Sequence, residues 1–228
     1  MQNPFSFISN PSYIGFIFLS TFSTLISFAV TVNYLKMYQS SYPKEITVTE
    51  VLNASWRYVL PLLILAIVAM IIIVLGMLAF VLPGFYLMVV LALAFPVVLI
   101  EDKGIFESIG RAFKLINGKW WSTFGLLFIS SILMYAISLI FIIPFYVFYF
   151  LQIFSLTEQT GVGVETSAWW FQGGMTLSVM LMFLGSFLTY SIPIIALCFQ
   201  YFNLVERKES VGLMSEIQQL DTNITDRD

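Results

Sequence analysis

Residues 58–100 read YVLPLLILAIVAMIIIVLGMLAFVLPGFYLMVVLALAFPVVLI, without one charged side chain. A helix needs about 20 apolar residues to cross a bilayer, so this stretch is long enough for two crossings. Leu82-Pro83-Gly84 near its middle is a turn signal. The stretch therefore predicts a hairpin of two membrane-spanning helices, 58–82 and 84–100, with its tip at Pro83-Gly84. A re-entrant segment is the alternative for the second helix, which at roughly 24 Å is short for a span.

Three further apolar runs are long enough to cross a membrane: 13–35, 120–151 and 173–204. The composition agrees, because 59% of the 228 residues are hydrophobic and 10% are charged, whereas a soluble domain carries roughly 25% charged residues. The sequence predicts an all-α, polytopic membrane bundle of about five spans over residues 1–204. A polar cytoplasmic tail is predicted over 205–228.

All ten basic residues fall on one side of this predicted arrangement, and the other side has only Glu158 and Glu165. The basic residues are Lys36, Lys44, Arg57, Lys103, Arg111, Lys114, Lys119, Arg207, Lys208 and Arg227. By the positive-inside rule their side is cytoplasmic, which puts the N-terminus outside. Segment 1–12 is uncharged and lacks a signal-peptide n-region. We therefore expect either that it is translocated as a neutral segment or that the chain begins part-way through a longer protein.

Two loops on the basic side resemble each other at an offset of 57 residues. Glu50 matches Glu107, and Trp56-Arg57 matches Phe113-Lys114. Each loop leads into a span. A unit of span, surface helix and span is therefore predicted to occur twice in the same direction, as a parallel internal repeat.

The loops themselves predict two cytoplasmic interfacial helices, at 47–57 and 104–116. Thr47-x-x-Glu50 is a capping box, which begins the first helix, and Asn117-Gly118 ends the second. In the second helix Glu107 and Arg111 are spaced as an i,i+4 ion pair. Opposite that pair, apolar residues share one face: Ile105, Ile109, Ala112, Phe113 and Ile116.

Basic side chains of this region are candidates for contact with lipid headgroups or a partner, namely Arg111, Lys114 and Lys119. The alternative is a helix that rests on the membrane and only orders the next span. Glu101 and Asp102, at the end of the third span, are the other candidates. They are either an end-of-span stop paired with Lys103 or Arg111, or a site that faces a cation or a headgroup.

Three segments of the middle of the chain resemble a known family. They are Leu82-Pro83-Gly84-Phe85-Tyr86, then 95–102 (FPVVLIED), then 109–121 (IGRAFKLINGKWW). The combination is similar to the bacterial multispan proteins described as the membrane domain of glycerophosphoryl diester phosphodiesterase, and to the YciC-type membrane proteins. The resemblance covers roughly residues 45–125. The serine of the family pattern is replaced here, in the neighbourhood of Phe113.

The resemblance implies a membrane bundle and no phosphodiesterase chemistry. In that family catalysis belongs to a separate soluble barrel domain with acidic metal ligands and histidines, and the membrane part offers no catalytic residues to carry over. Family members also carry a further span before the region that matches 13–35. This agrees with the expectation of a chain that begins part-way through a longer protein.

Chemistry-bearing residues are scarce in this sequence. It has no histidine and one cysteine, Cys198, inside an apolar run, and no Walker A, HExxH or GxSxG motif. We therefore expect no catalytic residue, cofactor or metal site, and the net charge of −3 gives no nucleic-acid footprint.

The function predicted from these residues is that of a non-enzymatic accessory or scaffold protein of the bacterial inner membrane. Its partners are expected to be the lipid bilayer and either other membrane proteins or further copies of itself. The alternative is a carrier or channel for lipid-like or other apolar small molecules, which would use the proline-kinked spans.

Overall fold

The computed structural model describes residues 11–40, 46–156 and 168–209, and their regular structure is entirely helical. Within these residues there are seven helices: α1 (Pro11–Ser40), α2 (Val48–Trp56), α3 (Val59–Ala79), α4 (Val81–Ile100), α5 (Ile105–Ile116), α6 (Trp120–Leu156) and α7 (Trp169–Glu209). All but α2 and α5 are long and apolar enough to cross a membrane. The predicted all-α bundle with five candidate spans is thus confirmed. The predicted positions of Lys44, Glu158, Glu165 and Arg227 lie outside the described residues.

The hairpin of α3 and α4 turns at Phe80, so the predicted tip at Pro83-Gly84 is wrong. Phe80 is extended, with φ −162° and ψ 144°, and separates the two helices. Pro83 falls in the first turn of α4, where its missing N–H leaves no helical hydrogen bond unmade. Gly84 serves packing, because a Cβ there would lie 2.8 Å from the backbone nitrogen of Met77. With 20 residues, α4 is about 30 Å long and matches the hydrocarbon core.

The described residues belong to two compact units. Unit 1 consists of residues 1–126 and 194–228, which hold α1 to α5, the start of α6 and the end of α7. Helix α4 is its centre: it packs against α1, α3 and α5, and ten of its 20 residues are buried. The central position of α4 fixes the place of the acidic residues that follow it.

Unit 2, residues 127–193, is formed by the remaining parts of α6 and α7. The two helices meet through small and hydroxyl-bearing residues. Ser138 and Thr189 share a hydrogen bond of 3.0 Å, and Gly185 lies against the ring of Phe141. The outward faces of these parts of α6 and α7 carry exposed apolar side chains.

Each short helix folds back along the long helix before it. Trp56 ends α2 and packs edge-on against Phe22, with ring centroids 5.7 Å apart. Trp120 follows α5 and donates from Nε1 to the carbonyl of Tyr86 at 3.2 Å. At 1.5 Å per residue, Phe22 is about 27 Å from the end of α1, and Tyr86 is about 21 Å from the end of α4. The short helices therefore run beside the candidate spans.

The two short helices also match in position. Helix α2 begins at Val48 and α5 at Ile105, which is the predicted offset of 57. Buried residues recur at the same offset, in the pairs Val32/Val89, Asn33/Val90, Val51/Ser108 and Ser55/Ala112. The order of long, short and long helix occurs twice, as α1-α2-α3 and α4-α5-α6. These matches support the predicted parallel repeat.

The apolar face predicted for α5 is divided between two environments. Ala112 and Ile116 are buried, as predicted, together with Ser108 and Leu115, whereas Phe113 is 37% exposed. Ile105 and Ile109 are intermediate and line up with Phe113 at i,i+4 spacing. The helix thus has one face on the bundle and a second apolar stripe facing outward.

The predicted ion pair between Glu107 and Arg111 is wrong, because the guanidinium binds Glu101 and Glu209 instead. Glu101 is the more sheltered carboxylate, with 14% of its side chain exposed. A charge-assisted hydrogen bond is stronger where less water competes for it. The helix ends as predicted, with Gly118 at φ +76°, a conformation that glycine adopts without strain.

An ion cluster at the end of helix α4

Two adjacent acidic residues end α4 and turn towards different partners. Glu101 is the C-cap of the helix, and Asp102 follows with φ +53°. A left-handed residue just after a helix is a common stop signal, most often glycine, and aspartate is one of the few other residues that tolerates it. This local turn separates the two carboxylates.

Glu101 connects α4 to α5 and α7. Its carboxylate accepts hydrogen bonds from Nε of Arg111 at 2.9 Å and from the hydroxyl of Tyr201 at 2.7 Å, and it also pairs with Lys103. Nη1 of Arg111 binds Glu209 near the end of α7. With side-chain exposures of 14% for Glu101 and 19% for Arg111, this pair is partly sheltered from water.

Asp102 connects α4 to α1 and to the start of α3. Lys36 donates from Nζ to Oδ2 at 2.9 Å, and Arg57 donates from Nη2 to Oδ1 at 2.9 Å. The hydroxyl of Tyr58 also donates to Oδ1. Lys36 donates a second hydrogen bond, at 2.7 Å, to the carbonyl of Leu99. The lysine therefore caps the carboxyl end of α4, where a cation is favoured by the helix dipole.

The partners of both acids keep them ionised. Burial alone would raise the pKa of Glu101, but hydrogen bonds from Lys103, Tyr201 and Arg111 outweigh it and hold that pKa below its usual range. Burial is likewise outweighed at Asp102, where hydrogen bonds from Tyr58 and Lys36 lower the pKa. The hydrogen bond to Glu209, together with the pair to Glu101, raises the pKa of Arg111.

An ionised carboxylate with its oxygens engaged in this way is a weak proton acceptor at neutral pH. Nor is it an open ligand, and no group of three or more His, Cys, Asp or Glu side chains among the described residues is placed to hold a metal ion. What the observed contacts do is join α4 to α1, to the start of α3, to α5 and to α7.

The structure brings together three of the predicted candidate residues: Glu101, Asp102 and Arg111. The other two do not join them through their side chains. Lys114 is exposed and contributes its carbonyl, which accepts from Nζ of Lys208 at 2.5 Å. Lys119 is exposed as well, and its carbonyl accepts from Thr123 at 3.2 Å. Contact of these two side chains with lipid headgroups stays a prediction.

Five members of the cluster were not predicted from the sequence: Lys36, Arg57, Tyr58, Tyr201 and Glu209. Tyr58 resembles an aromatic residue at a membrane boundary, yet it is buried. Tyr201 sits inside an apolar run, but it shares a helical stripe with Ile194, Leu197 and Leu204, all of them buried. That spacing of three, four and three residues marks a packed face. It is the signal that could have pointed to Tyr201.

The chain matches no protein-family model, no curated protein and no solved structure.

Proposed function

We propose that this chain is a non-enzymatic accessory or scaffold protein of the bacterial inner membrane, with its basic end in the cytoplasm and its N-terminal end outside. The resemblance to the membrane domain of glycerophosphoryl diester phosphodiesterases and to YciC-type proteins belongs to this proposal. So does an expected association with other membrane proteins or with further copies of the chain.

The observation that carries the proposal is that basic side chains of other elements bind both carboxylates, Glu101 and Asp102. Acidic residues at the mouth of a membrane bundle are the first candidates for proton transfer or substrate binding. Here both carboxylates are occupied by Lys36, Arg57 and Arg111. Lys36 lies on α1, Arg57 is the C-cap of α2 and Arg111 lies on α5. The pair thus ties the end of α4 to three other elements and holds them in one arrangement. That is the requirement of a scaffold.

The test is a double substitution, Glu101→Gln with Asp102→Asn, in a strain that lacks the chromosomal gene. If the acids are structural, the variant will complement the deletion in proportion to its abundance in the membrane. Raising its expression to the wild-type level should then restore complementation. Lost complementation at equal abundance would contradict the proposal and assign chemistry to the pair.

The proposed orientation is tested by labelling single cysteines in a Cys198→Ala background with a membrane-impermeant maleimide. Cysteines placed at Lys114 and Arg207 should react only after the cells are opened. A cysteine at Gly161 should react in intact cells. Labelling of position 114 in intact cells would reverse the orientation.

Association is tested by photo-cross-linking from unit 2 in native membranes. Leu133 and Ile140 are exposed and lie seven residues apart, on one face of α6, while the exposed Tyr135 lies on a different face. A partner seated on one face should give a discrete protein adduct from that face alone. Lipid adducts from all three positions, without a protein adduct, would instead favour the carrier for lipid-like molecules.

A further inference from the structure

A hollow of about 480 Å³ opens on the surface of unit 1, where α3 begins and α4 ends. We call it the Arg57 hollow. Its polar rim is formed by Arg57, Asp102 and Lys103, and its apolar wall includes Leu60, Ile64 and Val98. The volume lies within the range of sites that hold a small molecule or one part of a larger one.

The rim carries more positive than negative charge. Arg57 and Lys103 face it with one carboxylate, Asp102, whose charge is shared with Lys36 outside the hollow. Both cations are accessible, with side-chain exposures of 65% for Arg57 and 39% for Lys103.

Their donors are only partly used. Arg57 uses Nη2 for Tyr58 and Asp102, and among the described residues its Nε and Nη1 have no hydrogen-bond acceptor. Lys103 donates to Glu101, and an ammonium group has three donors. An anion entering the hollow would therefore meet two cations with N–H groups to spare.

The wall has the opposite character. Leu60 and Ile64 lie one turn apart on α3 and are 63% and 43% exposed, and Val98 is buried behind them. Both exposed side chains belong to the candidate span Val59–Ala79, whereas Arg57 precedes that span and Lys103 follows the span that ends at Ile100. The hollow is thus polar at the end of the spans and apolar along them.

We propose that the Arg57 hollow binds an anionic phospholipid, with its phosphate between Arg57 and Lys103 and an acyl chain along Leu60 and Ile64. The charges match a phosphodiester, and a basic pocket between spans at the membrane boundary is the setting in which anionic headgroups are held. The apolar wall selects a lipid over a free phosphate, because a soluble anion leaves Leu60 and Ile64 without a partner.

The experiment is a lipid titration of the purified protein in a mild detergent, with the bound lipids counted by native mass spectrometry. Phosphatidylglycerol and phosphatidylethanolamine with identical acyl chains are compared. Phosphatidylglycerol should bind at least about tenfold more tightly, because its headgroup has a net negative charge that the two cations attract, whereas the headgroup of phosphatidylethanolamine has no net charge. Equal affinity for the two lipids would overturn the proposal.

Arg57→Gln and Lys103→Gln should each weaken binding of phosphatidylglycerol about fivefold and leave phosphatidylethanolamine unchanged. Arg207→Gln removes an exposed charge that does not line the hollow, so it is the matched control and should change neither affinity. If Arg207→Gln weakens phosphatidylglycerol binding as much as Arg57→Gln does, the affinity depends on the net charge of the protein and not on the hollow, which would contradict the proposed site.

The apolar wall of the Arg57 hollow is tested by a substitution that leaves the residues of the ion cluster unchanged. Ile64→Trp should fill the wall and weaken phosphatidylglycerol binding while the protein keeps its elution volume and its unfolding temperature. Inorganic phosphate and glycerol 3-phosphate at millimolar concentration should not displace the lipid. Full displacement by either one would show a site for soluble anions and refute the lipid assignment.

Discussion

The hydroxyl of Tyr201 lies 2.7 Å from Oε1 of Glu101, although the two residues are 100 positions apart in the chain. One is buried near the end of α7, and the other caps α4. The bond joins α7 to α4, the central helix of unit 1. It acts in a partly sheltered place, where a hydrogen bond to a charged group contributes most.

Tyr201→Phe should therefore destabilise the protein by about 1.5–3 kcal/mol, because it removes the donor and keeps the ring. Thermal unfolding in detergent, followed by circular dichroism, measures the change. Tyr190→Phe is the control on the same helix, since the Tyr190 hydroxyl has no hydrogen-bond partner among the described residues. Equal effects of the two substitutions would show that the bond to Glu101 contributes nothing.

Stability should also fall in acid, through Glu101. Its pKa is lowered in the folded protein, so the folded state binds fewer protons than the unfolded state near the unfolded pKa of about 4.3. The stabilising contribution of ionised Glu101 is therefore complete above the unfolded pKa. It is lost as the pH falls through the lower pKa that Glu101 has in the folded protein.

Glu101→Gln should remove this contribution. Unfolding temperatures recorded from pH 6 to pH 3 should therefore decline less steeply in the variant than in the wild type. Asp102 has a lowered pKa as well. The unfolding temperature of Glu101→Gln should therefore still fall somewhat with falling pH, and this remaining dependence should diminish when Asp102→Asn is added. Parallel curves for wild type and Glu101→Gln would contradict the role of Glu101.

The cluster shows what the sequence could and could not predict. Apolar length and charge asymmetry predict the long helices, because hydrophobicity over about 20 residues is a local property. The pairing of Asp102 with Lys36 depends on α1 lying beside α4, which is a matter of packing between distant segments. Sequence alone placed Lys36 among the loop cations, and no local pattern distinguishes it from them.

The hairpin tip illustrates a different limit. Pro and Gly are turn residues, yet both also serve at the start of a helix and at close helix contacts. The choice between these roles depends on the residues facing Pro83 and Gly84 from α3, above all Met77. That information is absent from the tripeptide itself.

Gly84→Ala should destabilise the α3–α4 hairpin by about 1–3 kcal/mol, since the added methyl group overlaps Met77 and forces the helices apart. Gly110→Ala is the matched control, because a Cβ there meets nothing within 4 Å. In the middle of α5 it should stabilise by about 0.5–1 kcal/mol. Both are measured as shifts of the unfolding temperature, and a stabilising Gly84→Ala would refute the close contact.

Phe113→Asp should lower the amount of folded protein in membranes, whereas Lys114→Gln should barely change it. Phe113 belongs to the outward apolar stripe of α5, and burial of such a side chain in lipid contributes roughly 1.5–3 kcal/mol. An exposed lysine near headgroups contributes about 1 kcal/mol. Fluorescence-detected size-exclusion chromatography of membrane extracts compares the two. Equal losses would contradict an α5 stripe in contact with lipid.

The repeated order of long, short and long helix bears on how such a chain could arise. A segment with two crossings returns the polypeptide to the side on which it began, so tandem gene duplication leaves the insertion of everything downstream unchanged. Both copies of such a segment therefore have the same orientation in the membrane. The copies then diverge: Arg111, which binds Glu101 and Glu209, stands where the first copy has Ala54 at the offset of 57. The link from the second short helix to Glu101 and Glu209 therefore belongs to one copy and has no counterpart at position 54 in the other.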